Sequence, residues 1–183
     1  IQILGIEVNE VPLVDVEIII NGGQLLEQID KVGMTNILAQ MLSSGTSNKT
    51  PEELENAIKQ IGASIRIEAN QEDISIRVNT LAKNYSKAMN LVKEILLEPR
   101  WDQKEFTLIK QQTLSQIRQQ EASPRSVAEN NFNELIYGEN NIRAKNILGN
   151  KDSVAAISLE DLQTFYLKNI SPNQTRVHVV GAI

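Results

Sequence analysis

The sequence has no cysteine and only one histidine among its 183 residues. Without cysteine, the chain can form no disulfide, no thiolate nucleophile and no cysteine-ligated zinc or iron–sulfur site. The missing cysteine does not identify the compartment, which stays unknown, with the periplasm or cell envelope favoured over the mitochondrion and the cytoplasm. The single histidine, His178, lies in a predicted strand on the face opposite Val177 and Val179, and we interpret it as a structural residue.

Long apolar runs are missing as well. No run approaches the roughly 20 residues that cross a bilayer, although 41% of the residues are apolar. We therefore expect a globular domain with no transmembrane segment. The chain opens on Ile1 rather than methionine and shows no secretory leader. We accordingly expect residues 1–183 to form a single domain that is cut from a longer protein.

Charge and motif content disfavour several functions. The chain carries 18 basic and 23 acidic residues, a net charge of −5, and its basic residues are scattered, so nucleic acid is not an expected partner. The chain lacks G-x-S-x-G, G-x-x-x-x-G-K-[ST] and G-x-G-x-x-G, which disfavours nucleophilic and nucleotide chemistry. The acidic residues at 52–55 and 71–73 fit a solvated helix turn and a hairpin tip better than a cation site.

The spacing of apolar residues predicts both strands and helices. Residues 6–20 read as one or two strands broken at Pro12, and 65–69 with 74–78 alternate as a hairpin. Helices are predicted where apolar residues recur at three- and four-residue spacing, in several cases behind a capping residue: from about Asp30 to Gly45, after Thr50, over 88–96, from Asp102 to about Glu121, after Ser123 and after Ser158. A last strand is predicted over 176–180.

This order of elements predicts an α+β fold with helices packed on one face of a mainly antiparallel sheet. The helix after Ser123 has Val127, Phe132, Leu135 and Ile136 as its apolar positions. The aromatic residues Trp101, Tyr137, Phe165 and Tyr166 are assigned to packing rather than to ligand binding.

Two stretches carry a resemblance to a known family. Residues 33–46 read GMTNILAQMLSSGT, and 157–166 read ISLEDLQTFY, followed by Ser171-Pro172-Asn173 and Val179-Val180-Gly181. The first stretch resembles the zinc helix G-x-x-H-x-x-E-H-M-x-F-x-G-T of the pitrilysin/insulinase peptidases, and the tail resembles their I-[ST]-x-x-D-L-x-x-F-Y…P-x-N…V-V-G pattern. Further family features occur in order between them: Gly62, Pro99, Ser123-Pro124 and Ile147-Leu148-Gly149, with Gly22-Gly23 and Glu27 ahead of the helix.

The resemblance implies a zinc site whose four functional positions are degenerate. In active members, two histidines and a distant glutamate bind zinc, and a glutamate activates water. The histidine positions hold Asn36 and Gln40, the general-base position holds Ala39, and the last ligand position maps to Gln116. We expect no metal and no cofactor in this domain, and a neutral, hydrogen-bonded amide surface in their place. A second reading, that Asn36 and Gln40 are merely solvated residues of an amphipathic helix, also predicts no zinc.

The resemblance also implies a function and partners. The family's full domain is longer than this chain, so the resemblance implies that the single inactive domain of residues 1–183 is truncated on its C-terminal side. Family members work as paired domains that close around an unfolded peptide, and one half has commonly lost its zinc. The chain is therefore expected to be a noncatalytic domain that binds peptide substrate and pairs with a zinc-bearing catalytic domain on the same or another chain. The alternative is a structural scaffold or assembly subunit similar to the core proteins of the respiratory cytochrome bc complex.

Overall fold

A computed structural model describes residues 1–182 and contains one five-stranded sheet. The strands in chain order are β1 (Gln2–Glu7), β2 (Leu13–Asn21), β3 (Ser64–Ala69), β4 (Asp73–Leu81) and β5 (Thr175–Gly181). They lie in the order β1-β5-β2-β4-β3, so β1 and β3 form the two edges. The β1–β5 pair is parallel and the other three pairs are antiparallel, which confirms the predicted, mainly antiparallel sheet.

Alternating side chains give the sheet one buried and one exposed face. Along β2, Val14, Val16, Ile18 and Ile20 are buried, while Asp15 is exposed. On the exposed face, Arg77 Nε lies 3.1 Å from Glu17 Oε1, and His178 Nδ1 lies 3.6 Å from Glu17 Oε2. His178 is therefore a surface residue of the sheet, as predicted.

Seven α-helices lie in the described part of the chain. They are α1 (Met34–Leu42), α2 (Pro51–Gln60), α3 (Tyr85–Leu97), α4 (Gln103–Glu121), α5 (Pro124–Tyr137), α6 (Lys151–Ala156) and α7 (Leu159–Asn169). The capping residues behave as their positions indicated: Thr50, Asp102, Ser123 and Ser158 each accept a hydrogen bond from a backbone N–H of the first turn. Within residues 1–182, no helix has both the length and the apolar character that crossing a membrane requires.

The helices and the buried sheet face enclose two adjoining apolar clusters. One is centred on α1 and includes Ile37, Leu38, Met41 and Leu42 together with residues of α4 and α7. The other joins β2 and β4 to α3 through Ala88 and Val92. Trp101 and Tyr166 meet edge to face at a centroid distance of 5.4 Å, consistent with their predicted packing role. The buried residues of α1 thus pack in one cluster with those of α4 and α7.

The edge strand β1 contributes no buried side chain. All six of its residues are exposed, and Ile3 and Ile6 are 67% and 62% accessible. Within residues 1–182, this strand pairs with β5 alone.

Helix α5 turns its polar side toward the domain. Its half-buried residues include Asn130, Asn133 and Glu134, whereas Phe132 and Leu135 are exposed. Lys145 Nζ lies 3.1 Å from Glu134 Oε1, and Asn146 Nδ2 lies 3.3 Å from Asn130 Oδ1. The helix is therefore attached by polar contacts, and its apolar positions do not form a buried face.

Candidate functional site

The candidate site is built on α1, which lies against β3, α4 and α7. Its apolar residues are fully buried, with Ile37, Leu38 and Leu42 at 0% exposure. Residues four apart share a helix face, and Asn36 and Gln40 form such a pair at the half-buried margin of the helix. The packing of α1 therefore presents the two predicted ligand positions side by side.

The carboxylate of Glu27 fixes the N-terminus of α1. Its oxygens accept hydrogen bonds from the backbone N–H groups of Gly33, at 2.9 Å, and of Thr35. The N-cap is Gly33, whose φ of +108° suits glycine. Burial raises the pKa of the Glu27 carboxyl above its ordinary value, while the hydrogen bonds from Thr35 and Gly33 limit the rise. Glu27, noted in the sequence only as part of the family pattern, thus accepts hydrogen bonds from backbone N–H groups at the start of the candidate site's helix.

The segment before α1 is tied to the C-terminal third of the chain. Ser153 Oγ donates to the Val32 carbonyl at 2.8 Å, and Lys31 Nζ lies 2.6 Å from Asp161 Oδ1. Gly149 passes so close to Val32 that a Cβ there would lie 2.1 Å from the Val32 oxygen. These contacts join the residues just before α1 to the loop before α6, to α6 and to α7.

The four degenerate positions differ in their surroundings. Ala39 is buried, Asn36 and Gln40 are half-buried, and Gln116 on α4 is exposed. The Nδ2 atom of Asn36 is buried and has no hydrogen-bond partner among the described residues. The expectation of a hydrogen-bonded amide surface is therefore wrong for this atom. Thr113, one turn before Gln116, is fully buried, and its Oγ1 likewise has no partner there. Nothing in the sequence marked Thr113.

The donor set of the site does not fit zinc. Carboxamide oxygens are poor zinc ligands compared with imidazole and carboxylate groups. No three His, Cys, Asp or Glu side chains within residues 1–182 come together as a metal-binding group. His178, the single histidine, lies on the exposed face of the sheet beside Glu17.

The edge strand β3 runs beside α1 with a free backbone. The Asn70 N–H donates to the Asp73 carbonyl at 2.8 Å, and Ala69 lies opposite Ile74. Because bonded and non-bonded pairs alternate in an antiparallel ladder, the N–H and C=O groups of Ile65, Ile67 and Ala69 face away from β4. None of them has a hydrogen-bond partner among residues 1–182. The sequence predicted the hairpin but could not show which of its strands lies at the edge.

Comparison with known proteins matches residues 6–149 to the family described as Insulinase (Peptidase family M16). Among curated relatives, the "Non-peptidase homolog YmxG" of Helicobacter pylori is 25% identical over 170 residues, covering 93% of this chain and 39% of that protein. The "Probable mitochondrial-processing peptidase subunit beta, mitochondrial" of Arabidopsis thaliana is 21% identical over 164 residues, covering 90% of this chain and 31% of that protein. The chain thus spans well under half the length of these relatives.

A solved structure described as a "peptidase M16 inactive domain" from Pseudomonas fluorescens has the same fold. Its TM-score is 0.93 at 21% identity, and the match covers 99% of this chain and 44% of that one. The family match, which includes α1 and extends over most of the sequence, confirms the resemblance predicted from residues 33–46. The chain belongs to the insulinase family of peptidases, peptidase family M16.

Proposed function

We propose that this chain is a noncatalytic domain of an insulinase-type peptidase, which pairs with a zinc-bearing catalytic domain and holds an extended peptide. The observation that carries the proposal is the juxtaposition of α1, whose ligand positions hold Asn36 and Gln40, with the free backbone edge of β3. The amides on α1 leave no zinc ligands for hydrolysis, and the free edge of β3 offers a surface on which a peptide can bind. The names of the Helicobacter pylori relative and the Pseudomonas fluorescens structure support a noncatalytic role.

Hydrolysis by the family's mechanism needs both a metal and a base. Ala39 has no group that could accept a proton from water, and loss of a general base alone lowers a rate by about 10²–10⁴. With amides at the ligand positions, no Lewis acid is held to compensate. We therefore expect the purified chain to contain no stoichiometric zinc by elemental analysis and to cleave no peptide. Stoichiometric zinc would contradict this part of the proposal.

Peptide binding at β3 would use the backbone. A segment added as a further strand would bond to the N–H and C=O groups of Ile65, Ile67 and Ala69, which extends the sheet by one strand. Backbone bonding of this kind does not by itself depend on the side chains of the peptide. The sheet edge would therefore bind a peptide without catalysing its hydrolysis.

A partner domain is supported by the lengths of the relatives. The matched solved structures include the periplasmic protease PqqL of Escherichia coli, of which this chain covers 21%, and the first half of that protein, of which it covers 40%. Relatives of this fold thus extend well beyond the residues present here. Whether the catalytic domain lies on the same chain is read directly from the full reading frame, where an H-x-x-E-H segment would identify it.

A proline at residue 69 tests the binding edge. Ala69→Pro removes an N–H that faces outward, and proline is tolerated on an edge strand when its missing N–H is not part of the ladder. The matched control, Ala69→Val, keeps that N–H and suits a strand. Fluorescence anisotropy with a labelled, unstructured peptide should show weaker binding by Ala69→Pro alone, with both variants unfolding at similar urea concentrations.

Equal peptide affinity in wild type, Ala69→Pro and Ala69→Val would refute binding at β3. If the chain instead co-purified with membrane respiratory subunits and bound no peptide, the role of a structural assembly subunit would replace the proposed one.

A further inference from the structure

A polar cleft lies where the free edge of β3 ends. It has a volume of about 390 Å³ and lies between the β3–β4 turn, the end of α4, helix α5 and the loop before α6. Six carboxamide side chains line it: Asn70, Gln71, Gln120, Asn130, Asn133 and Asn146. We call it the amide cleft. Its volume is within the range of small-ligand sites, and it could therefore hold one side chain of a bound peptide.

Hydrogen bonds inside the amide cleft leave donors free. Asn146 Nδ2 donates to Gln120 Oε1 at 2.9 Å and to Asn130 Oδ1 at 3.3 Å, and Asn146 Oδ1 accepts from the Leu148 N–H. Because Gln120 and Asn130 use their oxygens in these bonds, each keeps its NH₂ group for another partner. Neither NH₂ group bonds to another of residues 1–182. The cleft therefore offers fixed donors to a group that can accept hydrogen bonds.

The charged residues of the amide cleft are already paired. Lys145 Nζ lies 3.1 Å from Glu134 Oε1, and Glu129 Oε1 lies 2.9 Å from Arg125 Nε. A carboxylate or an ammonium group entering the cleft would meet opposite charges that are already engaged in ion pairs, so it would gain little from them. A neutral carboxamide, which accepts and donates, fits the lining better than either.

A second, apolar cleft borders the other half of β3. It has a volume of about 270 Å³, and its apolar lining includes Leu54, Ile58, Ile65, Ile67 and Ile95. We call it the apolar cleft. Residues 65, 67 and 69 lie on the same face of β3, so the two clefts flank one face of the edge strand. At about 3.3–3.4 Å per residue, Ile67 and Ile65 lie roughly 7 and 13 Å from Ala69 along the strand.

We infer that the two clefts select the sequence of the peptide bound at β3. A peptide strand added to this edge would place an apolar side chain in the apolar cleft and an asparagine or glutamine side chain in the amide cleft. Because side chains on one face of a strand recur every two residues, the two selected residues are separated by two or four positions. This inference depends on the proposed binding of peptide at β3 and adds a substrate class to it.

A peptide series tests the selection. Labelled peptides of one host sequence carry leucine and glutamine two, three or four positions apart, and in a second set glutamine is replaced by leucine or glutamate. Binding to the 183-residue chain is measured by fluorescence anisotropy. The even spacings with glutamine should bind roughly tenfold more tightly than the odd spacing or the replaced peptides, as expected when buried polar groups lose their partners.

The variant Asn133→Asp tests the amide cleft from the protein side. Asn133 lines the cleft and makes no side-chain hydrogen bond within the described residues, so its replacement should leave the fold unchanged. The added carboxylate should favour a peptide of the same host sequence that carries lysine in place of glutamine over the glutamine peptide itself. If every peptide binds equally and remains sensitive to Ala69→Pro, the selection is wrong and the strand edge stands. If no peptide depends on residue 69, both are wrong.

Discussion

The ion pair between Lys31 and Asp161 fixes the segment before α1 to helix α7, and its removal should destabilise the domain in a pH-dependent way. Asp161 Oδ1 lies 2.6 Å from Lys31 Nζ, and its other oxygen accepts from the Ser158 N–H at 2.9 Å. The bond from Lys31 and those from Ser158 lower the pKa of Asp161 from its ordinary 3.8 to about 2. Asp161→Asn removes the charge that both interactions favour.

The size of the effect follows from that pKa. A fall from 3.8 to about 2 corresponds to about 2.5 kcal/mol at 1.36 kcal/mol per pKa unit. Because the Asp161 side chain is 27% exposed, solvent screening reduces the expected loss to about 1–2 kcal/mol. Folding lowers the pKa, so the stabilisation is present above about pH 4 and is lost as the pH falls toward 2.

Urea unfolding followed by the fluorescence of Trp101, the single tryptophan, measures this loss at pH 7 and at pH 3 or below. Glu160→Gln is the matched control, because Glu160 is an exposed acid in the same helical turn and forms no ion pair within residues 1–182. The control should change stability by less than about 0.5 kcal/mol. Equal stability of Asp161→Asn and wild type at pH 7, or a difference that persists undiminished at the lowest pH, would contradict a stabilising role of the Asp161 charge.

Two further substitutions test the packing around α1. Leu38→Ala should lower the free energy of unfolding by about 2–5 kcal/mol because Leu38 is fully buried, whereas Leu167→Ala, at a 79% exposed position, should cost under about 0.5 kcal/mol in the same urea titration. Gly149→Ala should prevent stable folding or sharply lower the midpoint temperature of thermal unfolding, because the added Cβ atom would collide with the Val32 carbonyl. Gly62→Ala, with φ of +61° and open space around it, should cost only about 1 kcal/mol, and equal costs at the two glycines would contradict the close approach.

The sequence predicted helix starts well where a capping residue marks them. Thr50, Asp102 and Ser158 marked helix starts because a side-chain oxygen that bonds the first turn works in isolation from the rest of the fold. Helix α6 was missed, since six residues are too few for a periodic pattern. The first predicted strand was misplaced. Strand β1 covers Gln2–Glu7, and residues 8–12 are not in a strand, because the pairing of β1 with β5 depends on residues far along the chain.

The surroundings of the site depended on tertiary structure. Asn36, Ala39 and Gln40 were identified because residues 33–46 resemble the family's zinc helix, whereas their burial depends on how that helix packs. The amide cleft brings together residues 70, 120, 130 and 146, which no local pattern connects. Helix α5 shows that helical spacing of apolar residues does not by itself predict burial, because Phe132 and Leu135 follow that spacing and are exposed.

Strand β1 should separate from the sheet more readily than the central strands, because none of its residues is buried. Neither apolar cluster includes a residue of β1. Its detachment would therefore break its backbone hydrogen bonds to β5 without exposing the buried clusters to water. Amide hydrogens of residues 3–7 should therefore exchange by local opening, while those around Val14 exchange only on global unfolding. The sheet thus combines an edge strand that opens locally with central strands that open only when the whole domain unfolds. A probe attached near Ile3 would therefore report on the opening of β1 alone.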